Sequence, residues 1–376
     1  MPAAVWGSPI MPRPSTSAYL LILLVTPLVA SSAQNVRGVV REQASGTPLV
    51  GVLMTLSRDD GSGSAVVTAL TNDRGAYFLR APQPGRYRLG AKRIGVRRFE
   101  SEPIELAASQ EVERDVELEA LVYQLPTVTV RSDPLCVRRA DQADRIASLW
   151  DEVRTALTAT QVSLRDRLVR ARVVRYLHEL DAQNLRVESV RLRRQTVGVV
   201  ERPFVSLPGA ALSRGGYWRI LPNDSIAYYA PDADVLLSAA FASDHCFGVA
   251  EGRGERAGLT GMSFEPASGR EVPDVRGTIW LDGRTFELKL VEFRYSRLPV
   301  ATSNRNIGGE VHFARLPTGA WIVERWFIRM PRYANRPSTR SSGVPGQRPV
   351  VEYRITGLLE EGGTVTVDTT GTRPPL

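Results

Sequence analysis

The sequence predicts a mainly β protein in two parts: an N-terminal seven-stranded-type β-sandwich, then an α+β domain in which two helices pack on a long antiparallel meander. Three observations predict it. From Val36 onward most apolar residues come in short runs closed by Gly, Pro, Asn and Asp at turn positions. Helical spacing is strongest in two places, around residues 141–164 and 232–243. The composition, 43% hydrophobic and 23% charged over 376 residues, is long enough for two cores and too polar for a membrane bundle.

The chain opens with a signal-peptide layout. Arg13 precedes an apolar run from Ala18 to Ala30, broken only by Thr26 and Pro27, and Ser31-Ser32-Ala33 supplies small residues for signal peptidase. Cleavage is expected after Ala33, which makes 1–33 the signal peptide; Met11 is a second candidate start. The competing reading, an uncleaved anchor, is opposed by Pro27 and by a run too short for a span of about 20 residues. No Cys follows the run to carry a lipid, and no later stretch reaches transmembrane length. The mature protein is therefore expected to be soluble and exported, periplasmic or extracellular.

The net charge of +8 falls to +7 with the loss of Arg13. That excess suits a polyanionic neighbour or an anionic lipid surface. The arginines are spread along the whole chain, without the basic run interleaved with aromatics that a nucleic-acid platform needs, so no nucleic-acid partner is expected.

The sandwich is placed at 34–120. Val36 to Arg41 is followed by the turn Ser45-Gly46-Thr47-Pro48 and a strand from Gly51 to Leu56. Asp59-Asp60-Gly61-Ser62-Gly63 makes a plain turn before Ala65 to Thr71; it lacks the alternating oxygen ligands of a calcium loop. Asn72-Asp73-Arg74-Gly75 leads into Ala76 to Arg80, and Pro82-Gln83-Pro84-Gly85 into Arg86 to Leu89. The succession G-V-V, S-G-T-P-L-V-G-V, T-N-D-R-G-A-Y-F-L, P-G-R-Y-R-L resembles the carboxypeptidase-regulatory-like family, a transthyretin-like β-sandwich. The resemblance implies a rigid spacer or binding module attached to other envelope domains and assigns no chemistry. The last strand alternates from Glu111 to Glu119. Its acidic face is expected to pair across strands with Arg86, Arg88 and Lys92 rather than to collect a cation.

Residues 121–140 read as a linker. Within it, Leu125 to Val130 resembles the extended segment by which outer-membrane transporters engage their energy-coupling partner. No plug or barrel follows, which favours a simple edge strand.

The second domain is placed at 141–376. Ile146, Leu149, Trp150, Val153, Leu157 and Leu164 fall at helical spacing, with Asp141 or Asp144 available as a cap. Leu168 to Leu180 and Leu185 to Val200, joined at Asp181-Ala182-Gln183-Asn184, form an arginine-rich hairpin, although the first run also fits a helix. A second helix is predicted from Asp232 to Ser243. After it come strands only, with turns at Asp282-Gly283, Pro317-Thr318-Gly319 and Gly362-Gly363. Ala320 to Met330 is apolar on both sides, which implies a sheet covered on both faces. Pro331 to Pro349, with Arg332, Arg336, Arg340 and Arg348, reads as a loop. The order helix, hairpin, helix, meander weakly resembles, in layout only, the half-barrel lipid and lipoprotein carriers of the bacterial envelope. That likeness implies an apolar or acyl ligand under the helices, for which Trp150, Trp280, Phe293, Tyr295 and Trp326 are the candidate contacts. The alternative is that these aromatics fill the core.

Enzyme motifs are missing. None of His178, His245 and His312 begins the His-x-x-Glu pair of zinc carboxypeptidases, and no G-x-S-x-G, H-E-x-x-H or phosphate loop occurs, so neither catalysis, metal nor cofactor is expected. Asp244-His245-Cys246 could place a thiol beside a base. In an exported chain whose only other cysteine is Cys136, a Cys136–Cys246 disulfide is the preferred reading. The sequence thus points to a non-catalytic envelope binding or carrier protein whose partner is a lipid, an envelope protein or a polysaccharide. Behind it stand a structural or adhesive accessory of a transporter or surface polysaccharide, and third a hydrolase.

Overall fold

The computed structural model describes residues 34–61, 64–94, 96–119, 140–221, 225–298, 306–337 and 351–367. Residues 1–33, read as a signal peptide, the segment Leu125 to Val130, Cys136, Arg340 and Arg348 lie outside the described residues.

The sandwich is built from β1 (Gln34–Glu42), β2 (Leu53–Arg58), β3 (Ala65–Leu70), β4 (Ala76–Ala81), β5 (Gly85–Lys92), β6 (Phe99–Glu100), β7 (Ile104–Leu106), β8 (Glu111–Glu113) and β9 (Val116–Leu118). One sheet has the order β4-β1-β8, with β9 also on β1; the other has β3-β2-β5-β6, with β7 also on β5. Alternation along β1, β4 and β5 sends Val36, Val40, Leu79, Tyr87 and Leu89 into one apolar core between the sheets.

The acidic ladder differs from expectation. It is two short strands, because the chain arches at Arg114-Asp115, where the Arg114 N–H donates to the Arg37 carbonyl at 2.7 Å and Asp115 accepts from the Val39 N–H at 2.7 Å. Gly38 lies under the arch, and a β-carbon there would collide with the Arg114 carbonyl. Both strands pair with β1 rather than β5. The acids therefore meet Arg37, at 2.9 Å from Glu111, and Arg97, at 3.1 Å from Glu119. Arg88 turns instead to Asp59 at 2.8 Å and Lys92 to Asp151 at 2.7 Å.

The second region begins with α1 (Ala140–Arg165), followed by β10 (Arg170–Leu180) and β11 (Val187–Val199), so the run from Leu168 is a strand and not a helix. Then come α2 (Gly209–Gly215), β12 (Trp218–Ile220), β13 (Ile226–Tyr228), α3 (Ala233–Leu236), α4 (Ala239–Asp244), β14 (His245–Glu251), a 3₁₀ turn (Gly254–Arg256), β15 (Leu259–Pro266), β16 (Val275–Asp282), β17 (Leu288–Tyr295), β18 (Gly308–Arg315), β19 (Trp321–Pro337) and β20 (Val351–Val367). The helix expected at 232–243 is two. Asp232 caps α3 by accepting from the Val235 N–H at 2.9 Å, and Ser238 ends it and caps α4 by accepting from the Phe241 N–H at 3.1 Å. The α2 helix and the β12–β13 hairpin were not legible.

Nine strands form one antiparallel sheet in the order β11-β10-β20-β19-β18-β17-β16-β15-β14, with β20 joining the meander to the β10–β11 hairpin. Helix α1 packs on one face, so that Leu149, Val153, Ala156 and Leu157 share a core with Ile279, Val291 and Val311.

The sheet departs from the sequence pattern at three places. β20 runs straight through Gly362-Gly363: Tyr176 lies over the first and the Trp326 ring over the second, so these glycines make room for aromatics rather than a turn. β19 continues to Pro337, taking in part of the expected loop, and Arg332 bonds Glu179 at 3.0 Å. A bulge between the pairs His312–Arg325 and Phe313–Val323 also reverses the alternation of β19. Val323, Trp326 and Ile328 then share the helix side, while Arg325, Phe327 and Arg329 take the other. That outer face carries charge: Arg256 bonds Glu310 at 2.7 Å and Glu292 at 3.3 Å, and His312 bonds Glu310 at 2.7 Å.

Candidate functional site: an apolar slot opening into an arginine groove

The last turns of α1 carry Thr160, Gln161, Ser163 and Leu164. Thr160 and Ser163 donate back to the carbonyls of Ala156 and Ala159 at 2.9 and 2.8 Å, which allows hydroxyls in an apolar layer, and Ser163 also accepts from the Trp321 N–H at 2.9 Å. Between this end of α1, Phe204, α3 and a floor of Val291, Val311, Phe313 and Val323 lies a narrow apolar slot of about 40 Å³. On this measure one water needs roughly 10–15 Å³, and sites for drug-sized ligands run from about 300 Å³ upward. The slot is too small to enclose an acyl chain and takes only a short apolar end.

Gln161 and Arg202, at the mouth of the slot, both bond Asp234. The same two residues and Leu164 also border an open groove of about 990 Å³ between the C-terminal end of α1 and the β10–β11 hairpin. Arg165, Arg167, Arg175, Arg194 and Arg202 line it, against Glu201 as its one acid. Arg165 is paired with Asp166 at 2.7 Å and donates to the Thr68 carbonyl of the sandwich at 2.8 Å. Arg175 donates to the carbonyls of Pro203 and Arg202, at 2.6 and 2.8 Å, and lies over the Trp326 ring at 5.4 Å. Among the described residues it faces no carboxylate, and its direct cross-strand partner is Arg194, a like-charge pair that a sheet tolerates only at a cost. Arg167 and Arg194 have no carboxylate partner among the described residues. The groove is therefore a cationic trough with an apolar notch at one end.

The aromatic candidates do not converge on one cavity. Phe293 and Tyr295 meet at 5.6 Å on the helix side, where Tyr228 joins Tyr295 at 5.2 Å. Trp326 lies on the same side but under Arg175, and Trp150 lies on α1 against Phe247 at 5.2 Å. Trp280 occupies the opposite face of the sheet, three residues along β16 from Gly277, the cross-strand partner of Phe293. Trp280, Phe293, Tyr295 and Trp326 are all buried. The hairpin's arginine content was legible, but which arginines meet α1 was not, since two bulges in the β10–β11 register break simple alternation.

His245 is not free to act as a base. Its Nδ1 faces the Phe241 carbonyl at 3.0 Å, and its Nε2 faces the Val275 carbonyl and the Asp274 carboxylate at 3.1 Å. Arg270 bridges Asp274 at 2.6 Å and Asp244 at 2.9 Å. This buried network joins α4 to the start of β16. Among the described residues no three His, Cys, Asp or Glu side chains gather as a metal site, and no helix is long and apolar enough to cross a membrane.

Residues 35–119 match the carboxypeptidase regulatory-like domain family, which bears out the resemblance read from the motifs; the match covers the sandwich and less than a quarter of the chain. No curated protein matches the chain. Among solved structures it is similar to a minor pilin of Streptococcus agalactiae, at 18% identity over 27% of this chain and 49% of that one, with a TM-score of 0.19. It is also similar to a streptococcal ancillary pilin, at 11% identity over 54% and 60% with a TM-score of 0.21. A DUF3823 family protein from Bacteroides uniformis matches at 10% identity over 64% and 92% with a TM-score of 0.18. The chain spans about half the length of the minor pilin it matches.

Proposed function

We propose that this is a non-catalytic, exported cell-envelope binding protein that holds an anionic amphiphile in the arginine groove. The observation that carries the reading is the continuity of slot and groove at Gln161 and Arg202: the cationic trough takes a headgroup and the notch takes an apolar end. The small slot narrows the expectation from an enclosed acyl chain to an amphiphile held by its head. Export is supported by the signal-peptide layout, and the absence of catalysis by the lack of enzyme motifs and by the tied ring of His245.

The test is cosedimentation of the mature chain with vesicles. Binding is expected with anionic and not with zwitterionic vesicles, and should fall with salt. Arg167→Glu combined with Arg194→Glu should weaken it by roughly tenfold or more, at about 1 kcal/mol per basic residue near an anionic surface. Equal binding to both vesicle types, or full binding by the double variant, would sink the reading.

One observation favours the accessory role instead. Among the described residues the outer edge of β11 is unpaired, with Val190 and Val197 exposed at 57% and 65%, so an envelope partner could add a strand there. A chain that ignores vesicles and yields no lipid to mass spectrometry would favour this second reading. The proposal also includes the Cys136–Cys246 disulfide, since export leads to an oxidising compartment. Non-reducing peptide mapping should find the two peptides cross-linked, and free thiols at both positions would refute the bond.

A further inference from the structure

The sandwich meets the sheet where Gly51, in the loop before β2, touches Gly319, in the turn before β19. Both have positive φ, and a β-carbon on Gly51 would fall 2.8 Å from the Gly319 Cα. Only glycine on both sides allows backbone to approach backbone so closely. Beside this contact is a cleft of about 270 Å³ walled by the sandwich, by α1 and by the sheet.

Three guanidinium groups line the cleft: Arg93 follows β5 in the sandwich, Arg284 lies in the turn after β16, and Arg315 ends β18. Glu287 is the one carboxylate lining it, and both its oxygens are engaged, by Arg315 at 2.7 Å and by Lys289 at 3.2 Å. Arg93 has no side-chain hydrogen bond or ion pair among the described residues, and it is only partly exposed. Burial and the like charge of Arg315 push its pKa down, against smaller opposing effects of Glu287 and Glu42. A partly buried cation without a partner is a standing cost to the fold, and the cost is removed when an anion sits against it. Ile94, Ala156 and Trp321 give the cleft an apolar wall.

We propose that this cleft binds a small oxyanion, a carboxylate or a phosphate group, held between Arg93 of the sandwich and Arg284 and Arg315 of the sheet. The ligand would complete the junction electrostatically and couple its occupancy to the docking of the two parts. The site is separate from the arginine groove and shares none of its lining residues.

Thermal melts of the full mature chain test it, with sodium phosphate or sodium acetate titrated to about 10 mM while sodium chloride holds the ionic strength constant. A saturable rise of roughly 2–4 °C is expected with at least one anion, as for any ligand that binds only the folded state. A response to phosphate alone assigns a phosphate group, and a response to acetate alone assigns a carboxylate. In Arg93→Gln the rise should vanish, while the variant without anion melts no lower than the parent, because an unpartnered cation has been removed. Arg284→Gln, on an exposed turn, should leave the anion-free melt unchanged and weaken the anion response several-fold. The inference is overturned if neither anion shifts the parent melt. It is also overturned if Arg93→Gln melts lower than the parent while keeping the same response, which would make Arg93 a structural residue only.

Discussion

The sandwich core and the core beneath the helices bury different polar groups. In the sandwich they are Gln34 and Thr71, both neutral and both tied to backbone: Thr71 donates to the Leu49 carbonyl at 2.6 Å and accepts from the Val52 N–H at 2.9 Å, and Gln34 donates to the Ala81 carbonyl at 3.0 Å. Beneath the helices and across the sheet, the neutral hydroxyls of Thr155, Thr160 and Ser163 are tied to the α1 backbone in the same way, but His245, Asp274 and Glu360 are buried as well, and each of these meets charged or polar side chains. A core closed by neutral groups does not titrate. One closed by an ion network depends on every member, because removing a partner leaves the rest buried and unpaired.

The sharpest break in that comparison is expected from Asp274→Ala. It leaves the buried His245 without its carboxylate and Arg270 with Asp244 alone, and should cost about 3–5 kcal/mol. All tryptophans beyond residue 33, Trp150, Trp218, Trp280, Trp321 and Trp326, lie outside the sandwich, so tryptophan fluorescence during urea unfolding reports this loss selectively. The bonds from His245, Val275 and Arg270 hold the Asp274 carboxyl below the usual range despite its burial. Its stabilising contribution is therefore present above the ordinary carboxyl pKa of about 3.9 and lost as pH falls below it. The parent should lose fluorescence-detected stability on acidification more steeply than the variant; parallel pH profiles would show the network to be without net effect.

A smaller effect is expected in the sandwich. Thr71→Val deprives the Val52 N–H and the Leu49 carbonyl of their partner and should cost about 1–2 kcal/mol. The cost should be the same at pH 5 and pH 8, because no group at this site titrates between them. A cost that varied with pH would mean that the two cores unfold as one.

The smallest effect concerns α1 where it faces the sandwich. Burial, and then the like charge of Asp151, raise the Glu152 carboxyl to about 7, with Lys92 opposing. A folded-state pKa above the unfolded one gives stability that is present below about 4.5 and lost as pH rises through 7. Glu152→Gln should accordingly stabilise by about 1 kcal/mol at pH 8, a figure discounted for partial exposure, and do little at pH 4. Equal melting temperatures of variant and parent at pH 8 would remove the group from the account.

The comparison also explains which features could be read in advance. By itself the sequence determined the sandwich, because its turns are local: Asn72, for example, accepts from the N–H groups of Arg74 and Ala76, both at 3.0 Å. It likewise determined α1, the β10–β11 hairpin and most of the meander, whose periodicities belong to single segments. Only the tertiary structure decided that β20 continues through Gly362-Gly363, since the reason is Tyr176 on β10 and Trp326 on β19 lying over them. Tertiary pairing also placed β8 and β9 against β1, with Glu111 on Arg37 and Glu119 on Arg97 rather than on the basic residues of β5, and a one-residue bulge in β19 put Val323 on the same side as Trp326 and Ile328. The two arginine sites differ in the same way: the groove collects arginines from the consecutive elements α1, β10 and β11, with the register bulges of the hairpin deciding which of them face α1, whereas the junction cleft collects Arg93, Arg284 and Arg315 from elements remote in sequence, a meeting that no local pattern records.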